Sequence, residues 1–124
     1  MAGMIFTAGK GDMASLKLLQ GKTLESSIIW GGSTPINVTG FSARLTVRAD
    51  YNSTAAIADF TVANGRVTVG TTDGKFSFSM SATDSSALPA PFTGVYEIEV
   101  TDAAGKVYRA VYGAATIEPE VVKA

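Results

Sequence analysis

Between Phe41 and Arg48 the chain alternates strictly, with Phe41, Ala43, Leu45 and Val47 apolar and Ser42, Arg44, Thr46 and Arg48 polar between them. Successive side chains of an extended strand point to opposite faces, so this run predicts a strand with one buried face and one wet face. The same period recurs in Leu16 and Leu18 beside Ser15 and Lys17, and in Phe76, Phe78 and Met80 around Ser77 and Ser79. It recurs again in Tyr96, Ile98 and Val100 around Glu97 and Glu99. Weaker runs rich in β-branched residues predict further strands over 23–30, 55–62, 66–69, 106–112 and 114–117. In the run 106–112, Val107, Arg109 and Val111 alternate with Tyr108, Ala110 and Tyr112, and the pattern leaves either face inward.

Turn residues punctuate these runs at the close spacing of a sandwich or barrel. Gly21 ends the first strand, and Gly31-Gly32-Ser33-Thr34-Pro35 breaks the second from the third. Asn64-Gly65 is a short hairpin signal because both residues accept positive φ, so residues 66–69 are expected to pair back across it. Thr72-Asp73-Gly74 predicts another turn, and Asp102-Ala103-Ala104-Gly105 a four-residue hairpin loop. Gly113 predicts a bulge or bend that separates the last two strands. One stretch, Ser81 to Leu88, favours a helical turn, with Ser81 or Thr83 as its cap, Leu88 as its inward anchor, and Pro89 and Pro91 as its stop. The chain then divides into a flexible N-terminal arm over 1–14, a β-domain over 15–119 and a mobile tail over 120–124.

Composition narrows what such a domain does. Hydrophobic residues are 46% of the 124 and charged residues 17%, a balance that folds rather than staying disordered. A formal net charge of −1 without basic runs argues against nucleic acid, whose binding draws on clustered phosphate contacts. It also weakens self-repulsion and favours association, as expected of a homo-oligomer within an assembly. The absence of both Cys and His removes thiolate nucleophiles, disulfides, the usual zinc sites and the side chain that titrates near neutral pH. No segment has the length of a membrane-spanning helix or the layout of a signal peptide, so cytoplasmic synthesis without export or membrane association is expected.

The remaining chemistry is sparse. Glu97 and Glu99 share one strand face, but the i and i+2 positions of a wet face serve solubility more often than paired-acid catalysis. Asp73, Asp84 and Asp102 fall in separate turns without calcium-loop spacing, and Gly65, Gly70 and Gly74 precede strands rather than the helix a phosphate loop needs. No catalytic residue, metal ligand or cofactor site is assigned. The candidates are interface anchors: Ile5 and Phe6 in the arm, Trp30 beside the Gly31-Gly32 pair, and Tyr108 and Tyr112, which simple alternation places on one strand face. Trp30 and the two tyrosines have either a core role or a role as an interface anchor or sugar-stacking platform.

A resemblance adds to this reading. Ser81-Ala82-Thr83-Asp84-Ser85-Ser86-Ala87-Leu88, then Gly94-Val95-Tyr96-Glu97-Ile98-Glu99-Val100, Ala104-Gly105-Lys106-Val107, Val111-Tyr112-Gly113 and Ala115-Thr116-Ile117 follow a pattern common in small tailed-phage virion proteins. With Gly21-Lys22-Thr23 and Pro35-Ile36-Asn37-Val38-Thr39-Gly40 before apolar strands, residues 15–119 resemble the N-terminal β-sandwich domain of the phage baseplate upper protein family. Pattern and resemblance together predict an all-β fold: an antiparallel Ig-like β-sandwich of seven to nine short strands with at most one short helical turn near residues 82–88. The resemblance implies a non-enzymatic virion structural protein, an adaptor or decoration module that assembles with other tail, neck or capsid proteins. No fibre segment follows residue 119, so a stand-alone module is expected. The alternative is a carbohydrate-binding or adhesin-like module with a glycan as partner.

Overall fold

A computed structural model of the chain describes the backbone of residues 4–6, 13–30, 34 and 36–122, and the side chains of all of these except 4–6. Nine strands and one helical turn are present among them: β1 (Met4–Phe6), β2 (Leu16–Leu19), β3 (Leu24–Ile29), β4 (Ser42–Arg48), β5 (Ala58–Thr61), β6 (Val67–Val69), β7 (Lys75–Met80), α1 (Ala82–Ser85), β8 (Phe92–Thr101) and β9 (Val107–Glu118). They form a six-stranded sheet in the order β1-β2-β9-β8-β4-β5 and a three-stranded sheet in the order β3-β7-β6.

That order is the immunoglobulin arrangement read off the pairings alone. With β3, β7 and β6 as strands B, E and D, and β4, β8, β9 and β5 as C, F, G and C′, the two sheets reproduce that fold's BED and C′CFG sets. The all-β Ig-like sandwich predicted from the pattern is therefore what forms. Not every pair is antiparallel, however: β2 runs parallel to β9, with Leu16 opposite Ala115 and Leu18 opposite Ile117. A crossover between distant parts of the chain sets this pair, so no local pattern announces it.

The inward positions of both sheets meet in one core. Leu45, Phe60 and Ile98 come from the larger sheet, Leu24, Phe76 and Phe78 from the smaller, and each is at most 1% exposed. Each such side chain contributes roughly 1.5–3 kcal/mol by leaving water. Antibody domains add a disulfide between strands B and F. With no cysteines, the core here rests on packing alone. Helical turn α1 starts as its sequence suggests: the Ser81 hydroxyl accepts a hydrogen bond from the Asp84 amide at 3.1 Å. Buried Ser85 donates to the Lys22 carbonyl at 2.7 Å and ties α1 to the turn between β2 and β3. Leu88 points inward behind it, 8% exposed.

Three local expectations are corrected. Asn64-Gly65 does make a tight turn, with Gly65 at φ 78°, but it does not join a hairpin. β5 pairs with β4 and β6 with β7, so the turn carries the chain from one sheet to the other. Gly113 does not separate two strands, because β9 runs unbroken from Val107 to Glu118. The bulge lies earlier: Ile98 opposes Val111 while Glu99 opposes Arg109, which leaves Ala110 as the extra residue. An extra residue reverses the parity of a strand, so Tyr108 and Tyr112 lie on opposite faces of the sheet rather than on one.

Described residues near both ends make contacts with the domain. Within the region expected to be a flexible arm, β1 pairs with β2, and Ala14 is a core residue, 4% exposed. Within the expected mobile tail, Glu120 pairs with Lys22 at 3.6 Å and the Val122 carbonyl accepts from Lys22 Nζ at 3.3 Å.

Candidate functional site

One end of the sandwich gathers aromatic side chains from both sheets. As β3 finishes, the Trp30 amide donates to the Gly74 carbonyl at 2.7 Å, and the Trp30 carbonyl accepts from the Ile36 amide at 3.1 Å. The β3–β4 connection is thereby tied to the β6–β7 turn. That turn needs glycine at 74: its φ is 66°, and a Cβ there lies 2.7 Å from the Trp30 carbonyl oxygen. Asp73 completes it by accepting from the Thr71 and Lys75 amides.

Across the gap stands Tyr108, carried by the β8–β9 hairpin. The Asp102 carboxylate holds that hairpin by accepting from the Ala104 and Lys106 amides, both at 2.9 Å, and its second oxygen accepts from the Tyr108 hydroxyl at 3.4 Å. Tyr108 pairs with inward-facing Val100 in register, yet it is 41% exposed because it sits past the edge of the core. The Trp30 and Tyr108 rings meet with centroids 5.9 Å apart at a tilt of 51°, a favourable aromatic geometry. Ile36, 48% exposed, borders Trp30. Trp30 is partly buried and packs against the core.

Tyr112 belongs to a different surface. It lies opposite Glu97 on the outer face of the six-stranded sheet, with the Arg109 guanidinium 4.3 Å from its ring centroid. This face is laced with ion pairs across neighbouring strands: Arg44 with Asp59 at 2.7 Å, Lys17 with Glu118 at 3.3 Å, and Arg109 with Glu97. Partial burial pushes the Asp59 carboxyl up, but hydrogen bonds from Arg44 and Thr46 outweigh it and hold Asp59 below the ordinary carboxylate range. The Arg44 guanidinium is held above its ordinary value, chiefly by its hydrogen bond to Asp59. Burial in turn pushes the Tyr96 phenol, beneath this sheet, far above its ordinary value, so it stays neutral.

Ile5 and Phe6 pair through their backbones with Lys17 and Leu16, and their side chains lie outside the described residues. The structure brings Trp30 and Tyr108 together and keeps Tyr112 apart. Sequence reasoning missed Ile36 and Tyr51, which is 62% exposed in the β4–β5 connection. A lone tyrosine between Asp50 and Asn52 in a loop was the available signal. Asp84 serves as a partner of Arg66 at 3.0 Å. Among the described residues no group of three or more acidic side chains is placed to hold a metal ion.

Fold and surface define a small Ig-like sandwich with an aromatic end and a charged outer sheet. No family model matches the chain, and no curated protein does. Among solved structures it is similar to Drosophila OTK, extracellular domains 3–5, at 13% identity and a TM-score of 0.34. That alignment covers 94% of this chain and 35% of the other.

Proposed function

We propose that this chain is a non-enzymatic structural module of a tailed-phage virion, an adaptor or decoration domain that seats a protein partner on the aromatic end of its sandwich. The observation that carries the binding half of this reading is the Trp30–Tyr108 pair with Ile36 beside it. Tryptophan and tyrosine anchor interfaces because they bury a large rigid area at small entropic cost. Here the Trp30 backbone is fixed by its bonds to Gly74 and Ile36 and that of Tyr108 by its pairing with Val100, so little ordering is left to be done on binding. The loops at this end correspond to the B–C and F–G connections, two of the three that carry recognition in antibody variable domains. The virion half rests on the sequence resemblance over residues 15–119.

Mass spectrometry of purified particles from the phage or prophage that encodes the chain is the test of the setting. The chain is expected among the structural proteins, and its absence from intact particles overturns the virion assignment. Co-purification with particle proteins then tests the surface. Tyr108→Ala is expected to lose at least about tenfold in affinity for the partner, the scale of one anchor residue.

A further inference from the structure

On the outer face of the six-stranded sheet, Arg44, Arg48 and Arg109 and the carboxylates of Asp50, Glu97 and Glu99 line a depression of about 300 Å³, with Tyr51 at its rim. We propose that this depression is a subsite for a neutral sugar ring, independent of the protein-binding end.

Charge is the first reason. Three guanidinium groups against three carboxylates cancel, so the depression favours neither an anion nor a cation by net field. What it offers is donors and acceptors side by side, and a sugar hydroxyl is both at once, donating to a carboxylate while accepting from a guanidinium. Fixed geometry is the second reason. Arg44 is held by both oxygens of Asp59, at 2.9 and 2.7 Å, Arg109 is held by Glu97, and Arg48 reaches the Thr54 carbonyl. These partners hold the long side chains in place and leave further N–H groups free to donate, since each guanidinium has five. Glu99 lies in register between Arg44 and Arg109, and among the described residues its carboxylate accepts no hydrogen bond.

An aromatic wall is the third. Tyr51 is 62% exposed, and the Asx turn beneath it, in which Asp50 accepts from the Asn52 and Ser53 amides at 2.9 and 2.8 Å, holds its backbone. The C–H face of a pyranose packs on such a ring while its hydroxyl edge meets the charged floor.

The test is an amide-resolved NMR titration of the whole chain with glucose, galactose and N-acetylglucosamine, alongside glucuronate and glucosamine as charged counterparts. Saturable shifts confined to β4, β8, β9 and the loop around Tyr51, from at least one neutral sugar and stronger than from its charged counterpart, are expected. Tyr51→Ala and Glu99→Gln are each expected to weaken that binding about tenfold while preserving the dispersion of the spectrum. Both positions are exposed, so neither variant is expected to unfold the domain. No shift from any neutral sugar overturns the subsite, as do shifts that persist unchanged in both variants, tighter binding of a charged sugar, or shifts centred on Trp30 and Tyr108.

Discussion

Inward, the two sheets are interchangeable in character: Leu45, Phe60 and Ile98 on one side, Leu24, Phe76 and Phe78 on the other, all withdrawn from water. Outward they diverge. The six-stranded sheet carries Lys17, Arg44, Asp59, Glu97, Arg109 and Glu118 in cross-strand ion pairs, whereas the three-stranded sheet carries the small hydroxyls of Ser27, Ser77 and Thr68 in one row and Ser79 opposite Glu25 in the next, with Lys75 at its end. Exposed ion pairs contribute about 0–1 kcal/mol each, and holding long side chains in place costs entropy, so folding alone gives no reason for this asymmetry. Ordered charges, an exposed tyrosine and a depression are the features on which the proposed sugar subsite rests. The smaller sheet's outer face also has a depression, lined by Glu25, Lys75 and serines, but among the described residues no ion pair orders its charges.

If inward and outward positions are governed by separate demands, neighbouring residues of one strand respond very differently to the same truncation. Phe78→Ala removes a core side chain that is 1% exposed and is expected to cost about 3–5 kcal/mol in chemical denaturation. Ser77→Ala, one residue away on the outer face, is expected to stay within about 0.5 kcal/mol of the parent. Comparable losses at both positions break the division between the faces.

The next largest effect tests where the chain enters β2 beside β9. Gly113 has φ 150°, and a Cβ there falls 2.3 Å from the Ala14 carbonyl oxygen, where the chain enters β2 and the Ala14 amide bonds the Tyr112 carbonyl at 2.9 Å. Gly113→Ala therefore combines backbone strain with a backbone clash and is expected to cost about 3 kcal/mol. Gly65 supplies the control, since it has φ 78° but nothing within 4 Å of a Cβ. Gly65→Ala is expected to cost only about 1 kcal/mol, the strain alone. Equal losses mean that the Ala14 crossing is not what requires glycine.

Much of the fold was legible because strands announce themselves locally. The alternation at Phe41–Arg48 and at Tyr96–Val100, the Ser81 cap and the Asp102 hairpin each depend on residues within a few positions of one another. What escaped depends on distant partners. Nothing near Ala110 marks it as a bulge, since the register there is set by how Glu99 and Ile98 are held on β8, and that one residue moved Tyr112 to the opposite face from Tyr108. Asn64-Gly65 has the same signal whether the strands beside it pair with each other or with β4 and β7. The candidate site was half legible for this reason: Trp30 and Tyr108 were singled out by type, but their meeting at one end required the sandwich to close.

The smaller sheet also holds a misfit. Ser26 is an inward residue of β3 between Leu24 and Ile28, 9% exposed, and its Oγ has no hydrogen-bond partner among the described residues. A buried hydroxyl without a partner carries its desolvation cost uncompensated, so Ser26→Ala is expected to stabilise by about 1 kcal/mol in a denaturant titration. A loss of stability shows that the hydroxyl is bonded in solution and that the inner face is not uniformly apolar in its demands.

The smallest effect concerns the charged face, and its pH dependence separates it from a packing change. Asp59 has a folded pKa below its ordinary value of 3.8, because hydrogen bonds from Arg44 and Thr46 to the ionised form exceed the cost of partial burial. A group depressed on folding contributes stability that is fully present above the unfolded pKa and is lost as pH falls through the folded one. With the Asp59 side chain 29% exposed and that of Arg44 52% exposed, solvent screening limits the contribution to about 0.5–1 kcal/mol. Asp59→Asn is thus expected to lower stability by that amount at pH 7. The gap to the parent should close as the pH falls below about 3.8, where the parent's own carboxylate protonates. A deficit that persists undiminished in acid means that Asp59 acts through shape rather than charge, and the Arg44–Asp59 pair then contributes no electrostatic difference between the two outer faces.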